Sequence, residues 1–205
     1  MDAKEDLIKI PYLVSTEETY PDKTTVVIGK RASGKTVLII KEIYRQLQHK
    51  IKKENIYVFT SGSDYYTITD HKYRFSELDS ILAVMDHSQH SLFIFEDDCI
   101  SISSFIDNDK MKDLSMNGRD HNISIVVVQQ YTTLAPEFRR NVDIVHMSSN
   151  HQVGYIKRIY DHYFPTKLDI DQFVQTVKTL PRFSFLVLIC IGKRSVGWIK
   201  TERPL

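Results

Sequence analysis

Residues Gly29-Lys30-Arg31-Ala32-Ser33-Gly34-Lys35-Thr36 hold two glycines five positions apart, followed by Lys-Thr, the spacing of a loop that wraps a phosphate chain. This motif constrains the fold because it works in one setting only. A strand must deliver the chain to the first glycine and a helix must start at the lysine. Successive N–H groups and the positive end of the helix then converge on phosphate oxygens. Thr24–Ile28, an unbroken β-branched run, is the expected strand. Thr36–Lys50 carries apolar residues at Leu38, Ile39, Ile43 and Leu47, a helical period. In that setting the Lys35 cation neutralises the outer phosphates, and the Thr36 hydroxyl suits Mg²⁺. The expected nucleotide-binding set is Gly29, Lys30, Arg31, Ala32, Ser33, Gly34, Lys35, Thr36 and Val37. A chance glycine turn before a helix is the plainer alternative, and the flanking strand and helix argue against it.

Downstream, short apolar or β-branched runs alternate with helical patterns, the sequence form of a parallel sheet wrapped by helices. Strands are expected at Ile56–Thr60, Leu92–Phe95, Ile123–Val128 and Asp143–Met147. Helices are expected at Ser76–Asp86, with Ser76 as N-cap, and around 151–163 and 169–180. Phe183–Ile191 and Val196–Lys200 read as a closing hairpin around Gly192-Lys193-Arg194-Ser195, an antiparallel C-terminal edge. The expected architecture is thus α/β, a P-loop sandwich with a mostly parallel central sheet flanked by helices. The 205 residues, 42% apolar and 11% aromatic, suffice for one core. One domain is expected over 1–205: a short arm at 1–22, an ATPase core at 24–147, and C-terminal helices and edge strands at 148–205.

Twenty-seven Lys and Arg against 26 Asp and Glu leave a net charge of +1, so global charge makes no case for a protein that coats nucleic acid. The eight histidines are scattered, without metal-ligand spacing, and Cys99 and Cys190 adjoin apolar runs as reduced thiols would. No leader peptide is visible, and the longest apolar run, Phe185–Ile191, is too short for a bilayer. A soluble, cytosolic chain without a membrane span is expected.

Leu92-Phe93-Ile94-Phe95 lifts Glu96-Asp97-Asp98 to the end of a strand. One carboxylate there can hold the Mg²⁺ shell and the next can orient or deprotonate the attacking water. Counting from the apolar run makes Glu96 the metal residue and Asp97 the base. A shift by one makes them Asp97 and Asp98, and Asp97 serves in both registers. Val126-Val127-Val128-Gln129-Gln130 ends another strand in glutamines able to reach a γ-phosphate or the lytic water. Arg119, Arg139 and Arg140 are candidate fingers for phosphoryl charge, with a solvated ion pair as the ordinary alternative. The basic stretch Lys41–Lys53 and the turn Lys193-Arg194 can face DNA or simply water.

The phosphate loop, the acidic strand end, Asn117-Gly118-Arg119-Asp120-His121-Asn122-Ile123, Gln130-Tyr131, Pro136, and Arg139 with Asn141-Val142-Asp143 together resemble the genome-packaging ATPases of poxviruses and other large DNA viruses. These belong to the FtsK–HerA superfamily of DNA-pumping ATPases. The resemblance covers about residues 24–147, and the Gly-Arg…Asn-Ile element is its most specific part. It implies ATP and Mg²⁺ as cofactors, Gln130 as sensor, Arg119 acting across a subunit boundary, and Arg139 in a second arginine motif. It also implies double-stranded viral DNA and capsid or portal-vertex proteins as partners. The setting would be the host cytoplasm, a viral factory or the virion. A chain little larger than one core would build its pentameric or hexameric ring from copies of itself. The competing readings are a nucleotide or nucleoside kinase, which would need an acceptor pocket and an arginine-bearing lid, and a nucleotide-binding assembly protein that pumps nothing.

Overall fold

The computed structural model describes residues 11–13, 19–62, 66–99, 109–130, 134, 136–149, 152–164, 169–191 and 195–201. Its strands are β1 Thr24–Ile28, β2 Ile56–Phe59, β3 Lys72–Tyr73, β4 Ser91–Phe95, β5 Ile123–Gln129, β6 Ile144–Ser148, β7 Ser184–Ile189 and β8 Ser195–Lys200. They form one sheet in the order β3-β2-β4-β5-β1-β6-β7-β8. Pairing is parallel from β3 through β6 and antiparallel for β6–β7 and β7–β8. This is the mostly parallel α/β sheet with an antiparallel C-terminal edge that the sequence implied.

Every residue of β1, β4 and β6 is buried. Such strands show no polar alternation because side chains on both faces of the sheet are covered. The period of two still sorts them. Val26, Ile28, Phe93 and Phe95 join the core on one face, while Val27, Leu92 and Ile94 join the core on the other.

The second of these faces is covered by α1, a continuous helix of α-helical Lys35–Leu38, π-helical Ile39–Tyr44 and α-helical Arg45–Leu47. Leu38, Ile39, Ile43 and Leu47 form its buried stripe, joined by Tyr20, Tyr66 and Ile68. The first face carries α2 Leu78–Val84, α3 Asp109–Asn117, α4 Pro136–Arg140, α5 Val153–Tyr163 and α6 Ile170–Thr179. Helix α6 starts at Asp169, whose carboxylate accepts from the Asp171 and Gln172 N–H groups at 2.9 and 3.3 Å, a cap worth about 1 kcal/mol.

Three local readings need correction or addition. Ser76 is not an N-cap: it lies inside a 3₁₀ turn, Phe75–Glu77, that precedes α2. The Glu77 carboxylate reaches back to accept from the Arg74 N–H at 2.6 Å, so the capping falls on a different residue. The two-residue edge strand β3 and helices α3 and α4 are additions to the expected elements. The turn 192–194 of the expected C-terminal hairpin lies outside the described residues, as does most of the N-terminal arm. Residues 11–13 of that arm run along β8: Leu13 N–H donates to the Trp198 carbonyl at 2.8 Å, and Trp198 N–H donates to Pro11 at 3.1 Å. This cover satisfies backbone groups on an otherwise open edge.

Candidate nucleotide site

The chain leaves β1 at Ile28 and turns at once. Gly29 N–H donates to the Gln129 carbonyl at 2.9 Å, which ties the loop to the end of β5. A Cβ on Gly29 would fall 2.4 Å from Ser33 Oγ and 2.6 Å from Ser148 Oγ, so a side chain there would have to displace both hydroxyls. Gly34 sits at φ 94°, ψ 13°, in the left-handed region, and hands the chain to α1. Lys35 folds its ammonium back into the loop and donates to the Gly29 and Lys30 carbonyls at 2.7 and 3.2 Å. Burial pushes its pKa down, while Asp97 and Glu96 pull it up. Lys30, Ser33, Thr36 and Val37 are half-buried around the loop, and Arg31 and Ala32 are exposed. The Ser33 hydroxyl is buried without a hydrogen-bond partner among the described residues.

Sheet order sets the rest of the site. Strand β5 lies between β1 and β4, so three strand ends stand side by side. They present the loop, Gln129–Gln130, and the acids. Glu96 continues the β4 ladder through its N–H to the Phe59 carbonyl at 3.0 Å. Its parity with Leu92 and Ile94 places it on the α1 face. Burial raises the Glu96 pKa, opposed by a hydrogen bond donated by Tyr66. The Tyr66 hydroxyl, itself buried beside this acid, has its pKa pushed well above the ordinary phenol value. Asp97 is exposed and contributes to the field on Lys35. Asp98 turns elsewhere: its carboxylate accepts from Thr60 Oγ1 at 3.1 Å and from the Ser61 N–H at 3.3 Å.

Two groups of site residues are therefore separated. Gly29–Val37, Glu96, Asp97 and Gln130 gather at the C-terminal ends of the parallel strands. Arg119 and Arg139 do not join them. Arg119 lies in a 3₁₀ turn before β5 and donates to Asp143 Oδ1 at 2.6 Å. Asp143 Oδ2 accepts from the Thr24 N–H at 2.9 Å, at the opposite end of β1 from Gly29. Arg139, on α4, contacts the His162 ring nitrogens at 3.0–3.1 Å. Both arginines line an open cleft of about 800 Å³ with Arg140, Asp143 and Tyr163. The Tyr163 hydroxyl is buried there without a partner among the described residues.

On α1, Lys41 and Arg45 are exposed, as is His49 in the turn after it, and Arg45 shares its charge with Glu42 at 3.6 Å. Tyr131 and Lys193-Arg194 lie outside the described residues. Sequence reasoning missed Tyr66 and the Thr60–Ser61 partners of Asp98, which no motif marks. Asp143 stood within the resembling segment without an assigned role. Cys99 and Cys190 are half-buried and not joined in a disulfide, and burial pushes the Cys99 thiol up to about 12. No described helix is long and apolar enough to cross a membrane, and among the described residues no three His, Cys, Asp or Glu side chains are grouped so that they alone could hold a metal ion.

A strand–loop–helix of this form, with the glutamine strand inserted between loop and acids, gives the chain the fold of the P-loop ATPases. Among solved structures it is similar to the genome packaging NTPase B204 from Sulfolobus turreted icosahedral virus 2 in complex with AMPPCP, with a TM-score of 0.68 at 16% identity, covering 88% of this chain and 98% of that one. It is also similar to B204, the DNA-packaging ATPase from Sulfolobus Turreted Icosahedral Virus, with a TM-score of 0.67 at 20% identity over 89% and 99% of the two chains. The cytoplasmic domain of the Thermomonospora curvata Type VII Secretion ATPase EccC follows at a TM-score of 0.56 and 10% identity, over 89% of this chain and 26% of that one. The genome-packaging resemblance seen in the sequence thus extends to the fold. No protein-family model matches the chain. In sequence it is 30% identical over 156 residues to Uncharacterized protein 015R of Frog virus 3 (isolate Goorha), covering 67% of this chain and 47% of that protein. The chain spans about half the length of that relative.

Proposed function

We propose that the chain is the subunit of an ATP-hydrolysing motor that moves double-stranded viral DNA into a preformed capsid, working as a homo-oligomeric ring of five or six copies. The observation that carries this reading is the insertion of β5 between β1 and β4. It brackets Gln130 between the phosphate loop and the acids, where a side chain can respond to the γ-phosphate. The fold similarity to viral genome-packaging enzymes supports the same reading.

In this reading the loop N–H groups and Lys35 hold the β- and γ-phosphates, and the unpartnered Ser33 hydroxyl gains an acceptor there. Thr36, Glu96 and Asp97 supply hard oxygen donors, of the type and small number that Mg²⁺ takes when phosphates and waters complete its shell. Mg²⁺ bound there would neutralise charge on the phosphate oxygens. Asp97, exposed beside the loop, orients the attacking water and accepts its proton, and Lys35 stabilises charge on the leaving phosphates. Double-stranded DNA and capsid proteins are the proposed partners, in the host cytoplasm, a viral factory or the virion.

The test is the ATPase rate with and without double-stranded DNA, on protein whose oligomeric mass is measured in parallel. DNA-stimulated hydrolysis by a pentamer or hexamer is expected. Phosphate transfer to a nucleoside or nucleotide acceptor, with no response to DNA, would overturn the motor reading in favour of a kinase. Binding of ATP without hydrolysis at any concentration would favour a passive assembly protein.

A further inference from the structure

On the flank of the loop away from the acids, the C-terminal edge comes into contact with Gly34. Strands β6, β7 and β8 lie on the far side of β1 from β4. The antiparallel turnover brings the start of β7 and the end of β8 to the same end of the sheet as the phosphate loop. A Cβ on Gly34 would stand 3.3 Å from Thr201 Oγ1 and 3.4 Å from the Phe183 ring.

Phe183 is unusual in its own right. Its φ is 63°, the left-handed region that a bulky aromatic residue rarely adopts. The conformation is fastened from both sides. Thr201 gives its N–H and its hydroxyl to the Phe183 carbonyl, each at 2.9 Å, and Ser184 N–H closes a turn on Pro181 at 3.1 Å. A strained residue held by surrounding bonds points to a use for its side chain. The Phe183 ring is half-buried, and the exposed Arg182 guanidinium lies over it, 4.8 Å from the ring centroid. The result is a cation-on-aromatic pair directly beside the second glycine of the loop.

We propose that Arg182 and Phe183 form the platform on which the nucleobase of the bound nucleoside triphosphate stacks. The inference rests on the reading of Gly29–Thr36 as a triphosphate site and adds where the other end of the nucleotide lies. With the γ-phosphate directed toward Glu96 and Asp97 on the β4 side, the nucleoside extends the opposite way, toward β6–β8. Guanidinium planes and aromatic rings both stack on bases. Every base has a π-face, so a platform of this kind binds purines without strong discrimination between them.

The experiment is calorimetric binding, with Mg²⁺ present, of ATP, GTP and inorganic tripolyphosphate to the wild-type chain, Arg182→Ala and Phe183→Ala. Arg182→Ala alters an exposed side chain and carries the test alone if Phe183→Ala does not fold. Each variant should weaken ATP and GTP about tenfold, while tripolyphosphate, which has no base to stack, stays within about twofold of wild type. An unchanged ratio of ATP to tripolyphosphate affinity in Arg182→Ala would overturn the platform and leave the phosphate loop standing. If the wild-type chain binds neither ATP nor tripolyphosphate, the triphosphate reading fails and the platform fails with it.

Discussion

Acid should destabilise this protein in large part through a residue in the middle of its sheet, His146. It is fully buried on β6, in register with Val27 of β1 and Val187 of β7. Its Nε2 lies 3.4 Å from Tyr20 Oη, and its Nδ1 has no partner among the described residues. The Tyr20 ring stacks 5.9 Å away, and the Phe185 ring stands edge-on at 6.5 Å. Burial pushes its pKa from 6.5 down to about 3. Between those values the unfolded chain holds a proton on this imidazole and the folded chain does not. Protons therefore favour the unfolded state, and stability is lost as pH falls below 6.5. The slope is about 1.4 kcal/mol per pH unit, which gives about 2 kcal/mol at pH 5. The assay is urea unfolding at pH 7.5 and pH 5, followed by the fluorescence of Trp198, the single tryptophan. His146→Gln keeps a polar partner for Tyr20 but cannot titrate. Its overall stability is expected to fall, yet its loss between the two pH values should be smaller than the wild type's by about 2 kcal/mol. Titrations shared by both proteins cancel in that difference. Parallel pH dependences would refute the assignment of a neutral, buried imidazole.

Site substitutions give further expectations. Lys35→Ala and Asp97→Ala should each lower Mg²⁺-dependent ATPase activity about a hundredfold or more; a rate within about twofold of wild type would remove the residue from the site. Glu96→Gln should weaken the Mg²⁺ dependence of turnover while Asp98→Asn, which loosens the Thr60–Ser61 contacts, stays mild. An Asp98→Asn variant that binds ATP yet fails to hydrolyse it, with Glu96→Gln mild, would shift the register to Asp97 and Asp98. Tyr66→Phe removes the hydrogen bond to Glu96 and should change kcat severalfold with KM steady; equal changes in both would mean that Tyr66 shapes nucleotide binding instead.

The elements legible in the sequence were those whose cause is local. The phosphate loop is contiguous, and its backbone needs fix its residue types. Leu92–Phe95 and Ile123–Val128 are apolar without alternation because helices cover both faces of the central strands. Strand β3 was invisible because two half-buried residues carry no period. Helix α3 buries only Met111, Leu114 and Ser115, too sparse a stripe to stand out. Strand order is not written in any local pattern, so the place of β5 beside β1 could not be read. The same holds for partners distant in sequence: Tyr66 meets Glu96, and Arg119 meets Asp143, only once the sheet has assembled.

Sheet geometry bears directly on how the arginines can act. Strand β1 runs Thr24–Ile28, so Thr24 and Gly29, five steps apart, are separated by about 17 Å at the rise of a parallel strand. Gly29 and Lys35 stand at one end. At the other, Asp143 holds the Thr24 N–H with one oxygen and Arg119 with the other. No side-chain rotation brings Arg119 across that distance to its own loop, and Arg139 opens into the same cleft. If either arginine acts on a transferring phosphoryl group, the group belongs to another copy of the chain. Arg119→Ala should then keep ATP affinity and lose turnover, by up to about 10³-fold or more as for other arginine fingers. Specific activity of the wild type should rise steeply with protein concentration. Mixing Arg119→Ala with Lys35→Ala should restore part of the activity, because some interfaces then pair an intact loop with an intact arginine. Asp143→Asn should weaken the tether and lower turnover without touching ATP affinity. Specific activity that is flat with concentration, with mixed assemblies that form but show no rescue, would leave Arg119 as a strut that fastens the start of β5 to β6.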